Sequence, residues 1–137
     1  ADILGLYIVT KLYEKGELTS GEVMDNYVTF LAGIFRSTRF GAASAHGKAN
    51  MVRFYYFEEK GAFTRNDDGT YSVNFDKMKE AVMSSVNEII TLQGNGDYEL
   101  AKSIIEKDGY IKEELKADLK RINDANIPVD IVFEQGL

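Results

Sequence analysis

Residues 40–60, FGAASAHGKANMVRFYYFEEK, carry the most information about this chain. They open with small side chains, which let a backbone or a ligand approach closely, and from about Ala43 their apolar positions recur at helical spacing. The only histidine of the chain, His46, lies in this run. Since His46, Asn50 and Arg53 stand at i, i+4 and i+7, a helix places them on one polar stripe. From the residues alone, His46 is either a hydrogen-bonded residue at a helix start or a catalytic residue, and both interpretations stay open.

Two helices are expected before this stretch. Residues 1–15 are apolar almost all round, the pattern of a helix buried in a larger body, and Gly16 ends them. Thr19 and Glu22 have capping-box spacing, which predicts the start of a second helix that runs to about Thr38. The chain opens inside the first helix without a start signal, so we expect it to be cut from a longer protein.

A β-hairpin is expected after the stretch. Asn66–Gly69 separates two alternating segments, and its Asp-Gly pair tolerates the positive φ of a tight turn. A calcium loop is the alternative, but it fails because Phe75 occupies the twelfth position, where a bidentate glutamate is required.

The rest of the chain predicts helices and one strand. Asn74 and Asp97 can cap helix starts, while Gly94 and Gly109 can end helices. The expected bounds are 75–92 and 97–107 for two helices, 112–125 for a third and 129–133 for a terminal strand. The expected fold is mainly α (α+β): a helical, bundle-like body with one β-hairpin and a C-terminal strand. Residues 1–137 show no internal domain boundary.

Composition narrows the class of protein. Hydrophobic residues make up 45% and charged residues 28% of 137, which is ordinary for a folded soluble domain. A net charge of -6 without a Lys/Arg-rich run argues against a nucleic-acid partner. The apolar run at the N-terminus is too short to span a membrane, so no membrane partner is expected. The chain has no cysteine, which excludes disulfides and is compatible with the reducing cytoplasm where we expect the protein.

Zinc binding by this chain alone is not expected. A protein zinc site needs three or four ligands from histidine, cysteine and carboxylates. One histidine and no cysteine fall short of that set.

Two segments resemble the dipeptidyl peptidase III family. Residues 1–7, ADILGLY, are similar to the tail of that family's Glu-Glu-x-x-Ala-Asp/Glu motif, and residues 44–50, SAHGKAN, are similar to its later histidine segment in bacterial form. The resemblance implies a zinc-dependent exopeptidase that releases dipeptides from the N-terminus of short peptides. Residues 1–137 would then be the C-terminal segment of its mostly helical, zinc-bearing lobe. Its partners would be a short peptide substrate and the remainder of the same polypeptide.

The resemblance also implies roles for single residues. The family's H-E-x-x-G-H helix and its glutamate ligand would precede Ala1, so we expect no metal ligand here and no activity from the segment alone. Asp2 matches the acidic position that orients a zinc-bound histidine. His46 matches the histidine that contacts substrate and stabilises the oxyanion. Animal members have arginine and glutamine where this chain has Asn50 and Ser44, so substrate contacts at these two positions are not transferred.

Asn50 and Arg53 remain candidates for the substrate cleft through their place on the polar stripe. The alternative to a peptidase segment is a non-catalytic helical interaction module, with the apolar face of the first helix as its partner surface. An H-E-x-x-G-H motif upstream in the parent gene would decide between them. Whether the parent carries a Nudix-type domain, as some bacterial relatives do, stays open.

Overall fold

The computed structural model of the chain describes residues 2–126. Within them, six helices and two strands follow one another along the chain. In order, these are α1 (Asp2–Glu14), α2 (Val23–Thr38), α3 (Ala45–Glu59), β1 (Phe63–Arg65), β2 (Tyr71–Val73), α4 (Phe75–Asn95), α5 (Tyr98–Asp108) and α6 (Glu113–Asp124). The predicted mainly α fold with one hairpin is confirmed. The predicted strand at 129–133 lies outside the described residues.

Helix α3 is the centre of the packing, because it contacts α2, α4, α5 and β1. Its apolar side chains Met51, Phe54 and Phe57 are buried, and their removal from water is the main driving force for this arrangement. The Phe54 ring lies 4.8 Å from Phe63 and 5.7 Å from Phe35, measured between centroids. Helix α1 packs on α2 and α4. The contacts of Phe54 with Phe35 and Phe63 join α2, α3 and the hairpin in one core.

The side chains predicted to cap α4 and α5 do so. Asn74 accepts a hydrogen bond from the backbone N–H of Lys77 at 3.1 Å, and Asp97 accepts one from Leu100 at 3.0 Å. Each bond satisfies one of the N–H groups that a helix start leaves without a partner.

The predicted capping box at the start of α2 is wrong. Helix α2 follows Glu22, whose side chain makes no capping hydrogen bond. Gly21 takes a φ of 75°, and the Tyr13 hydroxyl donates to the carbonyl of Ser20. The chain is therefore turned between Thr19 and Glu22, which removes the geometry that a capping box needs.

Helix α4 is longer than predicted, because it runs through Gly94. It ends at Gly96, which takes a left-handed φ of 62°. The N–H of Gly96 donates to Gln93 O at 3.2 Å and that of Asp97 donates to Leu92 O at 3.3 Å. This pair of bonds is the Schellman motif, which requires its glycine one position after the helix.

The β-hairpin is confirmed, with a different turn from the one expected. Phe63 pairs with Val73 and Arg65 with Tyr71 in an antiparallel register. Only Gly69 of the Asp-Gly pair takes a positive φ, of 78°. The tip is a longer loop closed by the N–H of Asn66, which donates to Thr70 O at 2.8 Å.

A buried carboxylate fastens the hairpin to α6. Asp118 is 2% exposed and accepts two hydrogen bonds from Arg65, at 2.7 and 2.9 Å. It also accepts one from the Tyr71 hydroxyl at 2.6 Å. On the same helix, Arg121 donates to the carbonyl of Gly69 at 2.5 Å. Side chains of α6 therefore hold the tip of the hairpin and the strand pair next to it.

Helix α1 is buried on one side only. Ile3, Leu6 and Thr10 face the core, whereas Leu4 is 36% and Ile8 53% exposed. Among the helices that the structure describes, none combines the length and apolar character needed to cross a bilayer.

Candidate active-site cavity

The loop that precedes α3 is held tightly against the first turn of this helix. Ser44 caps α3 by accepting a hydrogen bond from the N–H of Gly47 at 3.0 Å. Gly41 takes a φ of 94°, and its N–H donates to Thr38 O at 2.8 Å. A Cβ atom at Gly47 would lie 2.6 Å from the Cα of Ala42, so glycine is needed here for the two backbones to approach.

Replacing Gly47 by alanine is expected to lower the free energy of unfolding by about 1–3 kcal/mol, because the added methyl meets backbone atoms that cannot rotate away. Urea denaturation of the 137-residue chain measures the change. Gly5→Ala is the matched control: Gly5 is also in a helix, a methyl group there would meet nothing within 4 Å, and the variant should gain up to about 1 kcal/mol. Equal stability of the two variants would contradict the close approach at Gly47.

This loop, the starts of α1 and α3 and the end of α2 border an open cavity of about 610 Å³. It brings together residues that are far apart in the sequence, at the start of α1 and at the start of α3. The lining residues are Asp2, Ser37, Phe40, Gly41, Ala43, Ser44, His46, Gly47 and Asn50. Three of the four residues singled out from the sequence, Asp2, His46 and Asn50, therefore share one cavity.

His46 is the second residue of α3 and is exposed to solvent at the cavity. The start of a helix is the positive end of its dipole and carries N–H groups without intrahelical partners. Asn50, half-buried one turn later, adds an amide to the same wall. An imidazole and an amide beside a helix start can donate hydrogen bonds to an anionic or developing oxyanionic group. Asp2 supplies the one carboxylate among the nine described lining residues.

Arg53, the fourth predicted residue, does not line this cavity. Its Nη1 donates to the carbonyl of Ala49 at 3.2 Å, which draws the guanidinium back along α3. Its buried Nε has no hydrogen-bond partner among the described residues. Burial lowers the pKa of Arg53, and the negative charge of Asp2 opposes that effect. Arg53 thus lies outside the cavity lining, within electrostatic reach of Asp2.

Arg53 lines a second groove, of about 710 Å³, between α3, α4 and α5. Apolar side chains such as Val52, Ile89 and Ile104 form much of its wall. Among its charged lining residues, Lys107 forms an ion pair with Glu59, at 3.1 Å.

Phe40 is a cavity residue that the sequence did not single out. Its side chain is 71% exposed, and the guanidinium of Arg39 lies 4.6 Å from its ring centroid. The only signal in the sequence is its place at the head of the small-residue run, and that signal does not separate a cavity wall from an ordinary surface aromatic.

The described residues do not fit a zinc site. No group of three or more histidine, cysteine, aspartate and glutamate side chains among residues 2–126 lies close enough together to hold a metal ion. Within the described part of the chain, His46 and Asp2 are the only residues of these types that line the cavity.

Comparisons with known proteins relate the fold of this chain to solved structures of enzymes. The structure of DPP III from Caldithrix abyssi matches with a TM-score of 0.87 and 38% identity, over 96% of this chain and 25% of that one. The structure of dipeptidyl-peptidase III from Corallococcus sp. strain EGB matches with a TM-score of 0.83 and 37% identity, over 95% of this chain and 24% of that one. These matches confirm the resemblance to dipeptidyl peptidase III, and the described chain has the fold of about a quarter of such an enzyme.

A curated relative carries a different name. Nudix hydrolase 3 of Arabidopsis thaliana is 45% identical over 131 residues, which are 96% of this chain and 17% of that protein. The chain spans about a sixth of this relative, so the name does not settle what the matched segment does. No protein-family model matches the chain.

Proposed function

We propose that this chain is the C-terminal segment of the helical, zinc-bearing lobe of a dipeptidyl peptidase III-type hydrolase. The full-length enzyme would be a cytoplasmic zinc metallopeptidase that releases dipeptides from the N-terminus of short peptides. The observation that carries the proposal is the single cavity shared by Asp2 and His46, in a chain whose fold matches dipeptidyl peptidase III with a TM-score of 0.87.

His46 would act on the carbonyl that is attacked. Its imidazole stands at the positive end of α3, where a hydrogen-bond donor stabilises negative charge that develops on the carbonyl oxygen. The close approach of Ala42 and Gly47 keeps the backbone at the start of α3 in place, so the position from which His46 extends is set before the substrate binds. Preorganisation of this kind is what makes such donors effective in a transition state.

Asp2 would orient a metal-bound histidine supplied by another part of the enzyme. A carboxylate that accepts a hydrogen bond from the second ring nitrogen fixes the tautomer and the direction of a ligand imidazole. The metal ligands themselves would come from residues outside this chain. Asn50 would contribute to the substrate wall beside His46. Arg53, which does not line the cavity, would act on the site through its charge.

A non-catalytic interaction module is the second candidate. The exposed Leu4 and Ile8 on α1 favour it, because apolar side chains on one helix face can dock a partner. The parent gene separates the two: an H-E-x-x-G-H motif within roughly a hundred residues upstream supports the peptidase, since its two histidines would be zinc ligands on a single helix.

The proposal is tested with the full-length parent and a short synthetic peptide. Mass spectrometry is expected to find the N-terminal dipeptide as the first product. The isolated 137-residue chain is the control, and it is expected to release no dipeptide and to retain less than one zinc per chain after dialysis. A parent that carries zinc but leaves short peptides intact would refute the proposal.

A further inference from the structure

Phe40 is unusual for its exposure and its place. A phenylalanine buries much apolar surface when it can, yet this side chain is 71% exposed on the loop between α2 and α3. It lines the same cavity as His46. The ring is therefore presented at the site where the proposed chemistry takes place.

The Phe40 ring contacts the residue before it, and a turn follows it. The Arg39 guanidinium lies over the ring, 4.6 Å from its centroid, which is the distance of a cation–π contact. The next residue, Gly41, takes a φ of 94°, and the backbone of Ala42 then packs against Gly47 of α3. A ring with one face on a guanidinium and most of its area in water is a prepared surface for another apolar group.

We infer that Phe40 determines side-chain specificity, by packing against an apolar side chain of the bound peptide at one of the two residues that flank the cleaved bond. The inference rests on the proposed peptidase function, because it needs a peptide in the cavity with its carbonyl near His46. An aromatic or large aliphatic side chain gains from contact with the ring, whereas alanine is too small to reach it. The enzyme would thus favour peptides with bulky apolar residues at that position.

The experiment uses the full-length parent and tetrapeptides in which residue 2 or residue 3 is alanine, leucine or phenylalanine. The wild type should prefer the bulky side chains at one of these positions. Phe40→Ala should lower kcat/KM for the phenylalanine peptide by about fivefold to tenfold, and for the alanine peptide by less than about twofold. Phe40→Leu, which keeps an apolar surface, should recover part of the preference.

Tyr98→Ala is the matched control, because Tyr98 is equally exposed, at 72%, and does not line the cavity. It should leave the substrate preference unchanged. An active parent in which Phe40→Ala slows all the peptides equally would overturn the inference and leave the proposed function standing. A zinc-loaded parent that cleaves none of the peptides would overturn both.

Discussion

Replacing Asp118 by asparagine is expected to lower the free energy of unfolding of the 137-residue chain by about 3 kcal/mol. The carboxylate is 2% exposed and accepts hydrogen bonds from Arg65 and Tyr71. An asparagine offers one oxygen in place of two, so its N–H group would face the guanidinium or the hydroxyl. Breaking a buried ion pair costs about 3–5 kcal/mol, and the lower end applies because the Arg65 side chain keeps 28% exposure.

Urea denaturation of the variant and the wild type measures this loss. Asp124→Asn is the matched control: Asp124 lies on the same helix and pairs with Lys120, but both side chains are more than half exposed. Its loss should be below about 0.5 kcal/mol, as is usual for a surface pair. If the two variants lose the same stability, Asp118 does not fasten the hairpin to α6 as described.

Asp118 also makes the free energy of unfolding depend on pH in the acidic range. The hydrogen bond from Arg65, and then the one from Tyr71, lower the pKa of Asp118 from 3.8 to about 2. A carboxyl group whose pKa is lowered by folding stabilises the fold above its unfolded pKa, and this contribution disappears as the pH falls through the folded pKa. We therefore expect stability to fall between about pH 4 and pH 2. The decrease should be smaller in Asp118→Asn; Glu14, whose pKa is also lowered to about 2 by Lys11 and Lys79, accounts for part of the rest.

Much of the fold follows from local signals in the sequence. Asn74 and Asp97 cap helices as predicted, because capping depends on a side chain and an N–H group only three residues apart. The wrong prediction that α4 ends at Gly94 has a local cause too. Gly94 and Gly96 are two residues apart, and only Gly96 takes the left-handed conformation that ends the helix. At Thr19 and Glu22 the spacing was right, but the positive φ of Gly21 turned the chain.

The candidate active-site cavity was harder to predict from residue spacing alone. Helical period put His46 and Asn50 on one wall, but it gave no reason for Asp2 to line the same cavity, because that depends on how the helices pack. Only the resemblance to a family linked Asp2 and His46. Arg53 shares the helical stripe of His46 and Asn50, yet its hydrogen bond to Ala49 turns it away from the cavity. No pattern in the sequence predicts such a side-chain choice.

In the full-length parent, His46→Ala is expected to lower kcat by about a hundredfold to a thousandfold. A donor that acts on charge developing in the transition state is lost mainly from kcat, whereas loss of ordinary binding raises KM. Since His46 is exposed at the second residue of α3, its removal should leave the fold intact, and a thermal melt checks this. His46→Gln keeps an N–H donor and should recover part of the rate.

Asp2→Asn provides a contrast in mechanism within the same cavity. A residue that orients a metal ligand affects how firmly the metal is held, so this variant should retain zinc about 10–100-fold less tightly. His46→Ala should retain zinc like the wild type, because no step in its proposed role requires contact with the metal. The two variants therefore separate support of the metal site from action on the substrate.

The most direct test of the catalytic role of His46 is steady-state kinetics on the wild-type and His46→Ala parent, with bound zinc quantified in the same samples. We predict a kcat lower by at least about a hundredfold, a KM changed only a few-fold and one zinc per molecule in both proteins. A His46→Ala enzyme with full zinc occupancy and near-normal kcat would contradict this role.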